Sequence, residues 1–218
     1  MSYVVTSDYL LNRAVAPRLP AATNQYDPNY INQLNNVLRL YFNQLDNILG
    51  QLSTSGGISG VRFPYGAFSS DQSQTTTANT ATLMTLNTTD FSNDVSITSS
   101  KITVVNAGIY NLQFSVQLET NDTAPQDVFI WLRQNGTDIT GSTGIVGMPA
   151  RKNPGDPFHA IYGWNYFLSM AANDYVQIYW STTNANVSIK FYAASGTPTK
   201  PSTQSVVATL SFVSALPP

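Results

Sequence analysis

At 218 residues, 42% of them hydrophobic and with three Trp, twelve Tyr and ten Phe, the chain is large enough for one sizeable buried core plus an extension. Only 10% of the residues are charged and the net charge is -2, so no positive field exists to attract phosphate backbones or anionic lipid, which argues against nucleic acid as a partner. The lack of cysteine removes disulfides, thiol catalysis and cysteine metal sites together.

The first twenty residues, MSYVVTSDYLLNRAVAPRLP, have no basic n-region followed by a continuous apolar run, so they are not read as a signal peptide. No stretch approaches the roughly 20 apolar residues of a membrane span. The expectation is a chain made in a cytoplasm, without membrane insertion. Residues 1–27 carry Pro17 and Pro20 among scattered apolar residues with no sustained period, the pattern of an extended arm with little structure of its own. Tyr3, Val4, Val5, Tyr9, Leu10 and Leu11 are too much apolar surface to leave in water and too irregular for a core. The arm is therefore expected to order by docking on another protein.

Asp27-Pro28 is a helix start, with Asp as N-cap and Pro at the first helical position, where its missing N–H costs nothing. The spacing predicts a helix over residues 28–53. Ile31, Leu34, Leu38, Tyr41, Leu45, Ile48 and Leu52 fall at strict 3-4 intervals among Asn and Gln, which is a heptad seam. Leu dominates the a positions and Ile48 occupies a d position, a pattern that leans toward three or four strands. Val37, Phe42 and Leu49 widen the stripe, as a fatter bundle needs, and a homotrimer is the favoured state. The rival reading is an amphipathic helix packed on its own domain. The glycine-rich joint that follows, residues 54–60 within STSGGISG, favours separation.

From Val61 the hydrophobic period becomes two, and residues 61–218 are read as a β head. Tyr110, Leu112, Phe114, Val116 and Leu118 share one face of a strand while Asn111, Gln113, Ser115, Gln117 and Glu119 share the other. Similar runs cover residues 128–133, 164–168, 176–180, 187–193 and 206–213, with weaker ones at 66–70, 83–86 and 95–104. Asn135-Gly136 and Ala172-Asn173-Asp174 mark tight reversals. Nine or ten short strands of this kind make an all-β sandwich or jelly roll. Two strands are apolar on both faces: with Val128, Ile130 and Leu132 inward, Phe129 and Trp131 face out, and Tyr175 and Tyr179 do likewise. These four are the expected head contribution to a subunit contact, unless the same chain covers them.

Candidate chemistry is sparse. His159 is the one histidine, set in a Pro-rich segment with no G-x-S-x-G elbow, and reads as a loop or core histidine with a hydrogen-bonding partner. Glu119, Asn121, Asp122 and Asp127 could gather around calcium, yet the alternating loop that makes a calcium site specific is missing, so a solvated loop is expected. Asp90 and Asp94 read as turn residues; Gly141, Gly144 and Gly147 as a flexible loop; Arg151-Lys152 as a solvated pair. The Asn-x-Ser/Thr triplets at Asn87, Asn121, Asn135 and Asn186 arise by chance in a chain this rich in Asn and Thr. No catalytic, cofactor-binding or metal residue is assigned, and no enzyme activity is expected.

The run NAGIYNLQFSVQL (106–118), then DVFIWLRQNGTDI (127–139), FLSMAANDYVQIYW (167–180) and ATLSFV (208–213), resembles the C1q and tumour-necrosis-factor jelly-roll superfamily. There a Gly-x-Tyr strand, a strand leading to an Asn-Gly turn and a Gly/Asn-Asp-x-Val strand recur in this order. The wording is most similar to versions in bacteriophage virion proteins, and YDPNYINQLNNVLRLYFNQLDN resembles the N-terminal helix of phage fibre-like proteins. The resemblance covers about residues 26–214 and implies a jelly-roll head that trimerises, preceded by a trimeric coiled-coil helix. It further implies a virion protein, a short fibre, knob or capsid decoration held to other virion proteins through residues 1–27, with host attachment to a surface glycan or receptor as its task. A carbohydrate-binding module is the alternative. The segment at 145–160 and the arm before Tyr26 have no counterpart in the family.

Overall fold

A computed structural model of the protein describes residues 15–21, 24–53 and 63–216, with backbone alone for residues 50–53. Tyr3, Val4, Val5, Tyr9, Leu10 and Leu11, the side chain of Leu52 and the 54–60 joint lie outside the described residues. The chain divides into two compact units, Met1–Arg62 and Phe63–Pro218.

The first unit is built on α1 (Pro28–Ser53). Its start follows the capping chemistry expected of Asp-Pro: Asn29 N–H donates to Asp27 Oδ1 at 2.8 Å, and Ile31 N–H donates to the Asp27 carbonyl at 3.2 Å. Leu34, Val37, Leu38, Tyr41, Leu45 and Ile48 line one stripe and are half-buried, while Ile31, Phe42 and Leu49 are exposed. No described residue of α1 is buried. Of the arm, Arg18 to Ala21 and the helix residues Gln33, Asn36 and Val37 line a shallow, open groove.

The second unit is mostly strand. In chain order its elements are β1 (Tyr65–Ser70), β2 (Gln74–Thr75), β3 (Thr82–Leu83), β4 (Thr88–Asn93), β5 (Val95–Thr98) and β6 (Lys101–Val104). The long central strands follow: β7 (Gly108–Thr120), β8 (Gln126–Gln134), the short β9 (Thr137–Asp138), β10 (Gly144–Met148), β11 (Phe158–Met170) and β12 (Tyr175–Thr182). The last four are β13 (Val187–Ile189), β14 (Ser195–Gly196), β15 (Thr199–Lys200) and β16 (Val206–Ser214). Two antiparallel seven-stranded sheets form a sandwich-like arrangement. The first runs β2-β13-β7-β16-β1-β4, with β11 paired to β7; the second runs β10-β8-β12-β6-β5, with β3 on β12 and β9 on β8.

The period-two pattern decides what fills the space between the sheets. Tyr110, Leu112, Phe114, Val116 and Leu118 of β7 are buried against Val128, Ile130 and Leu132 of β8, Val176, Ile178 and Trp180 of β12, and Ala208 and Leu210 of β16. Each buried Val, Leu, Ile or Phe among them stabilises the fold by about 1.5–3 kcal/mol relative to exposure. Asn135 (φ 50°) and Gly136 (φ 83°) make the two-residue β8–β9 hairpin, and Asn173 (φ 67°) turns β11 into β12. Among the described residues no helix is long and apolar enough to cross a membrane.

Several expected loops are strand. Gly144 and Gly147 lie in β10, so the 145–160 segment is the rest of an edge strand, a turn at Gly155 (φ 81°) and the start of β11. Gly144 is there for packing: a Cβ on it would stand 2.9 Å from the Trp164 ring, which fills the space beside it. Residues 95–104 are two strands because Ser99 and Ser100 both take positive φ between them. The polar β4 escaped the periodicity because its residues are exposed or half-buried throughout.

Candidate functional site

The outer face of the second sheet collects most of the chemistry that the core does not use. On β8 the residues opposite the core are Phe129, Trp131 and Arg133; on β12 they are Tyr175, Gln177, Tyr179 and Ser181. Register aligns Trp131 with Tyr179 and Arg133 with Gln177. The four aromatics expected to face out do so, and each is half-buried. Trp131, Tyr175 and Tyr179 have neighbours on the same face. The Trp131 and Tyr179 rings lie 5.9 Å apart at 30°, the Arg133 guanidinium stands 3.9 Å from the Tyr179 ring centre, and Lys101 Nζ stands 4.4 Å from that of Tyr175.

Asp138, delivered by the β8–β9 hairpin, ties this layer together. Its Oδ1 accepts from Trp131 Nε1 at 2.8 Å and from Arg133 Nε at 2.7 Å, and its Oδ2 accepts from Arg133 Nη2 at 3.2 Å. These bonds, the one from Arg133 first, hold the Asp138 carboxyl below the usual carboxylate range. Sequence reasoning missed Arg133, Asp138 and Gln177. Alternation from Tyr175 and Tyr179 places Gln177 on this face, but nothing in the sequence marks it as covered. It is only 6% exposed.

A second polar cluster sits where β7, β11 and the segment after β13 meet. His159 lies in β11, not in a loop, directly across from Glu119 of β7. The Glu119 carboxylate is buried: the Tyr192 hydroxyl donates to its Oε2, Asn121 Nδ2 donates to its Oε1 at 3.0 Å, and Lys190 Nζ is 3.5 Å from Oε1. His159 Nδ1 stands 3.0 Å from the Tyr192 oxygen and 3.6 Å from Glu119 Oε2. Because the single Tyr192 proton goes to Glu119, the histidine takes the donor role at Nδ1, which leaves Nε2 as acceptor when the ring is neutral. Burial first, then the bond and charge of Glu119, push the Tyr192 pKa up. The partners satisfy one another, and the cluster acts as a clamp between three segments.

The remaining candidates are separate. Asp122 is used locally: its Oδ1 accepts from Ala124 N–H at 2.9 Å and its Oδ2 from Asn186 Nδ2 at 3.1 Å, and these bonds lower its pKa in that order. Glu119 and Asp122 thus turn to different partners, and among the described residues no three acidic or histidine side chains gather to hold a metal ion. Asp90 in β4 accepts from Ser69 Oγ at 3.1 Å, whereas Asp94 sits at positive φ between β4 and β5. No family model matches the chain, and no curated protein matches it.

Proposed function

We propose that the chain is a structural protein of a bacteriophage particle: a homotrimeric short fibre or knob. In this reading residues 1–27 dock on other particle proteins, at the capsid surface or the tail, and the head is displayed for surface attachment or decoration. The observation that carries it is α1. A helix of 26 residues holds Leu34, Leu38, Tyr41, Leu45 and Ile48 on one stripe, and not one described residue of it is buried. Three heptads are marginal alone, so the stripe calls for cover, and further copies of the same helix supply it in register.

Strand order supports a jelly roll of the C1q and tumour-necrosis-factor kind for the head. One sheet contains β1-β16-β7-β11 and the other β6-β12-β8-β10, the order that two interleaved Greek keys would give. A carbohydrate-binding module is the second reading, favoured by the Trp131 and Tyr179 pair on the outer sheet face.

Light scattering of the full chain at micromolar concentration tests the assembly: the expected mass is about three times 23.7 kDa, and a monomer overturns it. Electron microscopy of purified particles tests the location. Deletion of residues 1–27 should leave the trimer intact and abolish incorporation; normal occupancy of the truncated chain would place attachment in the head.

A further inference from the structure

We propose that the outer face of the first sheet receives a second copy of this chain, seated on it by the open side of the sandwich where β10 and β11 run. The inference rests on the homotrimer reading and names its contact in the head. Register sets Tyr65, Ser211, Asn111 and Phe167 in one row across β1, β16, β7 and β11, on the face away from the core. Phe91, Ile161 and Val213 are exposed around that row. Apolar surface gathered on one face in this way marks a binding surface. Charge is missing there as well: β1, β11 and β16 hold no Lys, Arg, Asp or Glu, Glu119 of β7 is buried among its own partners, and Asp90 of β4 accepts from Ser69 Oγ. The centre of a protein–protein contact is depleted of charge in the same manner. Asn111 adds an unmet need, because its carboxamide oxygen is covered without a hydrogen-bond partner, whereas such atoms ordinarily have one.

Symmetry and charge select what sits there. Three equal copies close into a ring only if each offers two different surfaces, one to each neighbour. The outer face of the second sheet is a poor second surface, since Arg133, Asp138 and Lys101 would be buried with it. The open side of the sandwich is a good one. Strands β10 and β11 are each paired on one side only, and the approach of Gly144 to the Trp164 ring shows that they run along the same side. Neither strand holds a Lys, Arg, Asp, Glu or Pro, so none of these residues blunts the 13-residue edge of β11. Ile145 is exposed there, and Tyr162, Trp164 and Tyr166 are half-buried, the aromatic anchors that interface centres favour. Copies gathered along α1 hold their heads close, so a contact too weak for free heads forms within the assembly.

The test uses the full chain. Ser211→Glu with Gln113→Glu places two charges at exposed positions of the face, where the fold tolerates them. The circular dichroism of the head should be unchanged, and the concentration at which light scattering shows dissociation should rise by about tenfold or more. Trp131→Ala, on the second sheet, should leave that concentration where it is. A second measurement uses the absence of cysteine from the chain. With Ser211→Cys and Ile145→Cys together, a short bis-maleimide should link copies into dimers and trimers, and either substitution alone should link none. The proposal falls if the charged variant assembles like the wild type, if the paired cysteines do not link copies, or if Trp131→Ala is the variant that dissociates. It also falls if one cysteine alone links copies as well as the pair, since the face would then meet its own kind. A trimer that is indifferent to the face removes this inference and leaves the stalk reading standing, whereas a monomeric wild type removes both.

Discussion

In the β unit the strands β7, β8, β12 and β16 send alternate side chains into a space that the facing sheet fills, and Leu112, Ile130, Leu132 and Leu210 are wholly buried there, whereas on β11 only Leu168 and Met170 are. In α1 the apolar pattern is as regular, yet Leu38 and Leu45 stay half open and Phe42 and Leu49 are exposed. The same driving force therefore has its partner within the unit in one case and, among the described residues, lacks it in the other. A sheet of seven strands can close on a second sheet, whereas one helix has only a stripe to offer. Substitutions that read assembly and stability separately break this comparison open.

The largest effect belongs to the seam. Leu38→Asp with Leu45→Asp puts two charges where neighbouring copies of α1 would meet, and burying an unpaired charge is prohibitive. The trimer should be lost altogether, seen as a fall in light-scattering mass. The head should melt as before, because neither residue belongs to its core. Unchanged mass would mean that the stripe is covered in some other way.

Next come the head's own contacts. Leu132→Ala removes a fully buried side chain and should lower stability by about 2–5 kcal/mol in denaturant titration. Gly163→Ala tests a close approach: the new Cβ would stand 2.4 Å from the Phe114 carbonyl oxygen and 3.2 Å from the Ser115 Cα, both backbone atoms that cannot step aside. Strand β11 must shift from β7, at about 1–3 kcal/mol. Loss of that order with the assembly mass unchanged would separate the two regions cleanly.

How far these regions were legible in the sequence follows the same physics. The helix, its Asp27 cap, the Asn135-Gly136 hairpin and the inward residues of β7, β8, β12 and β16 were readable because each rests on local spacing. Strand β10 was not, since Gly144 owes its place to the Trp164 ring twenty residues on. The outward direction of Phe129, Trp131, Tyr175 and Tyr179 was readable from alternation. The burial of Gln177 was not, because no local spacing marks an outward-facing residue as covered. The Glu119, Tyr192, His159 and Lys190 cluster joins three distant segments, and no spacing connects them.

That cluster predicts a pH response of the head alone. The Tyr192 pKa is raised in the folded state by burial and by Glu119, above an unfolded value of about 10. A raised pKa means that the native state holds its proton longer, so stability is fully present below about pH 10 and falls as pH rises beyond it. Tyr192→Phe should cost about 1–2 kcal/mol at neutral pH, through the lost bond to Glu119, and should flatten the alkaline loss. An alkaline melting curve of the same slope in the variant would show that Tyr192 is not its source.

The smallest effect is expected on the outer sheet face, and that is what would set it apart from the core beneath. Asp138→Asn ends the ion pair with Arg133, whose partners are 25% and 55% exposed. Exposed pairs of this kind are worth at most about 1 kcal/mol, since water and salt screen them. The lowered pKa of Asp138 says the same with its sign: the contribution is present at neutral pH and is lost as pH falls through the folded value, below the usual 3.8. Neutral-pH stability should therefore drop by no more than about 1 kcal/mol. The indole N–H of Trp131, which donates to Asp138 Oδ1, should meanwhile shift in an NMR spectrum and exchange faster with solvent. A drop as large as that of Leu132→Ala would mean that this layer of rings and charges holds the sandwich together, and a face needed for the fold could not rearrange to admit a ligand.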